Sequence, residues 1–420
     1  MQSSNNTNNL LLFTKTYPFE NGESFIENEI ETASRHYDKI YIFSCQVADS
    51  SRRRTVPDNV SVFTIGSEKK ETILLNSFRY LAGGIKNKEL PAEWHECITF
   101  KQRLFTLYFY TKVRIMEAKC QNMIAKLVKS GHSYTFYSYW FFDTAYLAMR
   151  LKERFFAGVD TYFITRAHGY DLYKYRNTFQ YFPFKKLVFS HIDKVFPCSE
   201  NGAHYLKREY PEYEVKIEKS YLGTVDYGLP LKMPEDNVVT LVTCSNLIPL
   251  KRVERLAAVL AYLENRGMNL KWICFGDGEC RKELETYCRN NIKQTEVVFK
   301  GLVANKEVMD YYKTEPVDLF VNLSSSEGLP VSIIEAMSFG IPSIATDVGG
   351  TSELVLEGRT GFLLPADFSD EEVQDAVVRY CGLSITEKNQ LRESCRNYWE
   401  TSFNNISNYE EFYNKIEINR

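Results

Sequence analysis

The sequence lacks the features that mark several common classes of protein. Nowhere in its 420 residues is there a run approaching the roughly 18–20 uncharged apolar residues of a membrane-spanning helix. The N-terminal MQSSNNTNN has no basic segment, and the apolar run LLLF that follows is too short for a secretory leader. These absences predict a cytoplasmic protein.

Cysteine motifs are also missing. The chain has ten cysteines, and none of them forms a CxxC pair. Zinc and dithiol sites therefore lack their usual signature, and most of these thiols are expected to be small buried hydrophobes in a reducing compartment. No other cluster of metal-ligand residues stands out, so the sequence predicts neither a metal nor a cofactor.

An excess of charge of one sign is missing as well, since basic and acidic residues nearly balance and the formal net charge is only −3. That balance gives no reason to expect a nucleic-acid partner. Locally, residues 101–130 carry seven basic side chains and one acid around an aromatic run, LFTLYFY. Such a helix could lie on an anionic membrane surface or pack on its own sheet with a solvated basic side, and we favour the second interpretation.

What the chain does contain is an alternation of short apolar segments and amphipathic segments, which is typical of parallel α/β sheets covered by helices on both faces. Predicted strands are Leu10–Thr14, Lys39–Phe43, Val60–Ile65, Ser133–Tyr137, Tyr162–Thr165, Lys194–Pro197, Val238–Cys244, Lys271–Phe275, Val297–Phe299, Leu319–Leu323 and Ser343–Thr346. Predicted helices are Glu23–Arg35, Lys101–Lys129, Asp143–Arg154, Glu200–Arg208, Val253–Arg266, Glu279–Asn290, Lys306–Lys313 and Val331–Phe339.

This pattern runs twice, which predicts two Rossmann-like domains facing each other across a cleft. The segment 223–237 has no hydrophobic periodicity and reads as the linker. We place the first domain at residues 1–225 and the second at 226–403. Residues 404–420 form a predicted helix whose apolar face needs a partner, and we expect it to cross back to the first domain.

One stretch of the second half, SSSEGLPVSIIEA at 324–336, carries the strongest chemical signal. It follows the predicted strand DLFVNL and opens a helix whose first turn contains Pro330. Its free backbone amides, beginning at Leu329 and Val331, would form an anion site suited to a diphosphate. Glu335 lies one helical turn beyond Val331 and could bind a ribose diol, while Glu327 precedes the helix.

The run from Glu327 to Gly350 resembles the E-x7-E signature of family 4 retaining glycosyltransferases, which have the two-Rossmann GT-B fold. Three more segments resemble that family: GDGE at 276–279, VFKG at 298–301 and EGRTGF at 357–362. The stretch CSNLIPLKR at 244–252 resembles the phosphate-binding loop of the family, with Lys251 as its cation. This chain has Ser245-Asn246 where the family usually has Gly-Arg, and Arg252 is a candidate replacement.

The resemblance therefore implies a set of donor-binding residues: Gly22, Ser245, Asn246, Lys251, Arg252, Gly276, Gly278, Glu327, Gly328, Leu329, Pro330, Val331 and Glu335. In the first half, KTYPFENGESF at 15–25 and RAHGYD at 166–171 are similar to segments of polysaccharide-building members. These segments imply an acceptor site containing Glu23, Tyr170 and Asp171. The catalytic residues implied are His168, Glu327 and Lys251.

The implied reaction moves a hexose-type sugar, with retention, from a nucleotide diphosphate-sugar to a saccharide acceptor without a metal. UDP is preferred to GDP, and a lipid-linked acceptor at the inner face of the membrane suits the basic helix. The main alternative is a non-catalytic sugar-binding or regulatory subunit, favoured by Asn246. A nicotinamide-dependent oxidoreductase lacks its GxGxxG turn in PFENGESF, and a sugar-nucleotide epimerase of the same fold is a minor alternative.

Overall fold

The fold is seen in a computed structural model that describes residues 7–20, 22–50, 53–234 and 238–419. The chain divides into two compact units. One contains the described residues up to Ser220 together with those from Tyr409, and the other spans Tyr221–Asn408. The divisions predicted from the sequence lie at 225/226 and 403/404.

The first unit is built on a six-stranded parallel sheet in the order β3-β2-β1-β4-β5-β6. Its strands are β1 (Asn8–Thr14), β2 (Lys39–Ser44), β3 (Val60–Thr64), β4 (Ser133–Ser138), β5 (Asp160–Ala167) and β6 (Lys194–Pro197). Its helices are α1 (Glu27–His36), α2 (Lys70–Lys86), α3 (Glu89–Glu96), α4 (Phe100–Ala125), α5 (Asp143–Phe155), α6 (Gly169–Leu172), α7 (Lys185–His191) and α8 (Glu200–Glu209).

The second unit repeats this plan with a six-stranded parallel sheet in the order β12-β11-β10-β7-β8-β9. Its strands are β7 (Val239–Cys244), β8 (Leu270–Phe275), β9 (Glu296–Gly301), β10 (Leu319–Asn322), β11 (Ser343–Thr346) and β12 (Gly361–Leu364). Its helices are α9 (Val253–Glu264), α10 (Arg281–Asn291), α11 (Asn305–Thr314), α12 (Val331–Ser338), α13 (Asp370–Gly382) and α14 (Ile385–Ser402).

A last helix, α15 (Asn405–Asn419), begins in the second unit and ends in the first. Its apolar face contains Phe412, Tyr413 and Ile416, which are buried in a core cluster of the first unit together with Leu10 and Ile30. The Tyr413 hydroxyl also donates to Glu29 at 2.9 Å. The partner that this face requires is therefore the core of the first unit.

The predicted α/β class with two doubly wound sheets is confirmed. Strand β1 shows the physical reason, because its central residues are buried on both faces, as expected for a strand inside a parallel sheet covered by helices. Helix α4 begins at a capping box in which Thr99 Oγ1 accepts from the Gln102 amide at 3.2 Å. Within the described ranges, no helix has both the length and the apolarity needed to cross a bilayer.

Several elements differ from their prediction. Helix α1 begins at Glu27 and not at Glu23, because residues 24–26 form a 3-10 turn and Glu23 has a φ of 56°. Helix α4 ends at Ala125, four residues before the predicted end. Strand β12 and six helices, α2, α3, α6, α7, α13 and α14, were not predicted.

Candidate functional site

The two loops that follow β7 and β10 meet in the second unit. These strands are neighbours in a parallel sheet, so their carboxyl ends lie side by side. Lys251 Nζ lies 2.6 Å from Glu327 Oε1, and Asn322 donates to the same oxygen at 3.3 Å. Glu327 is buried, with 7% of its surface exposed. The structure therefore brings together the predicted phosphate cation and the predicted sugar-binding carboxylate as an ion pair.

Arg252 holds the loop after β10 in place. Its guanidinium donates to the carbonyl oxygens of Leu323 at 2.7 Å, Ser324 at 2.9 Å and Ala366 at 3.2 Å. It also lies over the ring of Phe368, 4.6 Å from the centroid. These contacts give Arg252 a structural task, and the geometry does not support its prediction as the replacement phosphate cation.

Helix α12 begins at Val331, directly after the loop that carries Glu327. Pro330 precedes the first helical residue, and its carbonyl accepts from the amide of Ile333 at 3.0 Å. The first amides of an α-helix have no partner inside the helix. The amides of Val331 and Ser332 are thus the donors that a bound anion would use at this end of α12.

Glu335 lies one turn further along α12 and is half-buried. Desolvation raises the pKa of its carboxyl to about 7, although a hydrogen bond from Asn305 opposes that shift. Asn305 Nδ2 lies 2.7 Å from Glu335 Oε1. Asn305 starts α11 and was missed by the sequence analysis, because only the tertiary fold brings it to this helix.

The loop after β7 lies directly against the loop after β8. A Cβ on Gly276, whose φ is +121°, would be 1.8 Å from the carbonyl oxygen of Ser245, and one on Gly278 would be 2.4 Å from that of Leu247. The two glycines were predicted to bind donor, and here they permit this close backbone contact. Next to it, Ser245 is half-buried and Asn246 is exposed.

A second glycine contact supports the loop that carries Glu327. Gly349 has a φ of +59°, and a Cβ at this position would lie 2.0 Å from the carbonyl oxygen of Glu327. The amide of Gly350 donates to the carbonyl of Gly328 at 2.7 Å. Both glycines belong to the run from Glu327 to Gly350 that resembles the family signature. The spacing of that run did not reveal that they support the loop.

In the first unit, aromatic side chains gather at the carboxyl ends of β1, β4 and β5. Lys15 Nζ lies 4.0 Å from the ring centroid of Trp140 and 4.1 Å from that of Tyr170. Burial lowers the pKa of Lys15, although nearby carboxylates oppose this shift. Tyr170, one of the predicted acceptor residues, keeps 46% of its surface exposed. Lys15 and Trp140 were not selected from the sequence.

Glu23 organises the loop after β1. Its carboxylate accepts hydrogen bonds from the backbone amides of Lys15 at 2.9 Å, Thr16 at 2.7 Å and Tyr17 at 2.7 Å, and from Trp140 Nε1 at 2.5 Å. These donors occupy the carboxylate of a residue that is 7% exposed, so Glu23 fixes the loop, and its role of binding the acceptor stays a prediction. Gly22, predicted to approach the donor, is exposed at the edge of the same loop.

His168 and Asp171 lie together at the end of β5. Asp171 has no exposed surface, and its carboxylate accepts from the amides of His168 and Phe141, each at 2.6 Å. These bonds hold Asp171 to the backbone, and its contact with an acceptor stays a prediction. His168 Nε2 lies 3.1 Å from the carbonyl oxygen of Tyr139. Burial and the nearby Arg166 lower the pKa of His168 to about 3, so its imidazole is neutral at neutral pH.

Metal-ligand side chains do not gather into a group of three or more anywhere in the described part of the chain. The chemistry present in the second unit is a lysine–glutamate pair, a helix N-terminus and a protonatable glutamate. That set of groups is suited to binding an anionic ligand that also carries hydroxyl groups.

Comparison with known proteins agrees with this geometry. Residues 232–399 match the family Glycosyl transferases group 1. The matched segment lies within the second unit.

Two curated relatives are similar to part of this chain. The GDP-mannose-dependent alpha-mannosyltransferase of Mycobacterium tuberculosis is 31% identical over 131 residues, which is 31% of each chain. The Vi polysaccharide biosynthesis protein VipC/TviE of Salmonella typhi is 33% identical over 94 residues, 22% of this chain and 16% of the relative. The chain spans about a quarter to a third of the length of the first curated relatives it matches.

The fold of the whole chain also has solved counterparts. The lipopolysaccharide outer core galactosyltransferase WaaB superposes with a TM-score of 0.69 at 15% identity, covering 98% of this chain and 100% of that one. At this level of identity the likeness establishes the fold, which is the GT-B fold of glycosyltransferases.

Proposed function

We propose that this protein is a retaining glycosyltransferase that moves a hexose-type sugar from a nucleotide diphosphate-sugar to a saccharide acceptor. The observation that carries the proposal is the meeting of Lys251, Glu327 and the N-terminus of α12 within a group 1 glycosyltransferase domain. The donor is assigned to the second unit and the acceptor to the first.

In this proposal the donor diphosphate lies on the amides at the start of α12, with Lys251 as its cation. Glu327 then exchanges its ion pair for sugar hydroxyls, and the ionised form of Glu335 accepts from the ribose diol. The bond between the anomeric carbon and the diphosphate oxygen breaks, and its electron pair stays on the phosphate. The acceptor oxygen bonds to the same face, and its proton passes to the departing phosphate.

The positive charge that balances the leaving diphosphate comes from Lys251 and the α12 N-terminus, both preorganised by the fold. We therefore expect transfer to proceed in the presence of a metal chelator. His168 would act here as a neutral imidazole, able to exchange hydrogen bonds with the transferred sugar but not to supply charge.

Uridine is the first candidate for the donor base, on the resemblance to family 4, and guanosine is the second, since one relative is named for GDP-mannose. Surface polysaccharide or glycoconjugate synthesis is the proposed setting, supported by the Vi polysaccharide relative. A saccharide acceptor, carried on a lipid at the inner face of the membrane, could stack on the exposed ring of Tyr170.

The test is slow hydrolysis of a panel of UDP- and GDP-sugars followed by proton NMR, in buffer with a chelator. The proposal predicts that one donor releases its sugar first as the anomer it carried. Release of the opposite anomer would contradict retention, and loss of turnover in chelator would contradict a metal-independent reaction.

One observation favours the non-catalytic alternative. Asn246 is exposed at the position where the family usually has arginine. Since a phosphate cation is missing there, this alternative predicts that nucleotide sugars bind weakly or not at all and that none is hydrolysed or transferred. Turnover that is lost in Lys251→Ala and kept in Asn246→Ala would exclude it.

A further inference from the structure

Helix α2 presents an apolar face to solvent. Its inner side is buried through Ile73, Ser77 and Gly84. A Cβ on Gly84 would touch Leu90 and Tyr110, so this side of the helix lies tightly against α3 and α4. The outer side therefore has no packing role within the unit.

The exposed apolar residues of α2 fall on one stripe. Leu75 and Phe78 have 77% and 82% of their surface exposed, and Leu74 and Ile85 are exposed as well. At 3.6 residues per turn these four positions lie within an arc of about 100° on the helix surface. An exposed stripe of this kind marks a surface that binds something apolar.

Basic side chains surround this stripe. Between residues 69 and 88 the chain has five basic side chains and one acid, Glu71. The basic residues are exposed, and none of them forms an ion pair with another described residue: Lys69, Lys70, Arg79, Lys86 and Lys88. A second copy of the chain would bring the same positive charges against these, so the charge pattern opposes self-association and suits an anionic partner.

The neighbouring helix α4 was the other candidate for a membrane contact in the sequence, but two of its lysines form ion pairs within the first unit. Lys112 pairs with Asp143 at 2.6 Å, and Lys119 pairs with Glu68 at 2.6 Å. Phe109 and Tyr110 from its aromatic run are buried in the core. The middle of α4 thus packs in the core of the first unit, as the favoured interpretation expects. Its start exposes Phe100 and Leu104, and Ile98 before it is exposed as well, while the four-residue apolar stripe lies on α2.

We propose that the outer face of α2 is an interfacial helix that docks the protein on an anionic lipid bilayer. Leu74, Leu75, Phe78 and Ile85 enter the boundary between head groups and acyl chains, while the surrounding lysines and arginine contact anionic head groups. This inference deepens the proposed function, and rests on it for the claim that a lipid-linked acceptor is met at that surface. The docking itself depends only on the exposed face.

The experiment is flotation of the full chain with vesicles of phosphatidylcholine mixed with phosphatidylglycerol, compared with vesicles of phosphatidylcholine alone. Wild type should float with the anionic vesicles and be released by high salt. The double variant Leu75→Asp/Phe78→Asp should reduce the bound fraction about tenfold or more, since it removes two large apolar anchors. The matched control is Val215→Asp, a residue of the same unit that is 83% exposed and lies outside α2.

Donor binding measured by calorimetry on the same proteins separates the two proposals. We expect it to be unchanged in the double variant, and circular dichroism verifies that the variant is folded. Docking on lipid is overturned if wild type ignores anionic vesicles, if the double variant floats as well as wild type, or if the face instead mediates a dimer that the double variant dissolves. Absence of donor binding in wild type would overturn the proposed function and leave the docking result intact.

Discussion

The two units share one sheet plan but differ in how they use the carboxyl ends of their strands. In the second unit, charged side chains meet there on backbone loops held in direct contact, with Lys251 beside Glu327 and Gly349 beneath it. In the first unit the corresponding acids, Glu23 and Asp171, are buried and occupied by backbone amides, and aromatic rings line the edge instead. A charged, close-packed site suits one fixed anionic group, and an aromatic edge suits a varied saccharide.

The largest effect should come from Lys251→Ala. Loss of one preorganised charge at a developing anion costs about 10²–10³-fold in kcat. Rates of donor hydrolysis and transfer measure this, with Lys271→Ala as the control, because Lys271 pairs with Glu296 on the strand surface. If kcat fell by less than tenfold, the reaction would not depend on the charge in the second unit, and the contrast between the two units would fail.

Backbone contact in the second unit can be tested with a pair of glycines. Gly349→Ala should lower the free energy of unfolding by about 3 kcal/mol or more, because the new Cβ meets the Glu327 carbonyl at a positive φ. Gly358→Ala, at a similar φ of +68° with open space around it, should cost about 1 kcal/mol. Urea unfolding of both variants gives the difference, and equal losses would contradict the close contact.

The ionisation of Glu335 predicts a pH dependence. Its pKa in the folded protein, about 7, exceeds its ordinary value of 4.5, so the folded state binds the proton more tightly. The contribution of Glu335 to stability therefore falls as pH rises from about 4.5 to 7 and is constant above that range. Affinity for the donor should rise over the same range, since the ionised carboxylate is the better acceptor for ribose hydroxyls.

Two variants check this dependence. Glu335→Gln should remove both pH trends in unfolding and in donor titrations. Asn305→Ala should move the midpoint of donor binding to higher pH, because the Asn305 hydrogen bond lowers the pKa of Glu335. If the midpoint moved to lower pH in Asn305→Ala, or if Glu335→Gln and wild type had identical pH profiles, another group would be the one that titrates.

The smallest effect is expected in the first unit. Tyr170→Ala should raise the KM for the acceptor about tenfold through loss of ring stacking, with no change in the KM for the donor. Tyr170→Phe keeps the ring and should stay near wild type. If the alanine variant changed the KM for the donor and not that for the acceptor, the assignment of the two substrates to the two units would be wrong.

Much of the fold follows from the sequence, because strands such as β1 and β10 contain continuous apolar runs. Helix α2 could not be recognised in this way, since its exposed leucines and phenylalanine break the polar–apolar pattern of a surface helix. Strand β12 is as short as the predicted strands β10 and β11 but begins at Gly361, and a glycine usually indicates a turn.

At the site, the resemblance located Lys251, Glu327 and Glu335 in one unit, and the structure places the first two in contact. It could not reveal Asn305 or the structural task of Arg252, because both depend on contacts between distant segments. The sequence also could not show that Asp171 is buried. An acidic residue directly after a strand suggests a site residue, and its bonds to backbone amides become known only from the structure.

The central claim is that the second unit holds the diphosphate-sugar donor. Calorimetric titration of a panel of UDP- and GDP-sugars into wild type and Glu335→Ala, above pH 7, tests it most directly. The account predicts that one nucleotide sugar binds wild type and that its affinity is lost or much weakened in the variant. Equal affinity in the two proteins, or no binding of any nucleotide sugar to wild type, would contradict it.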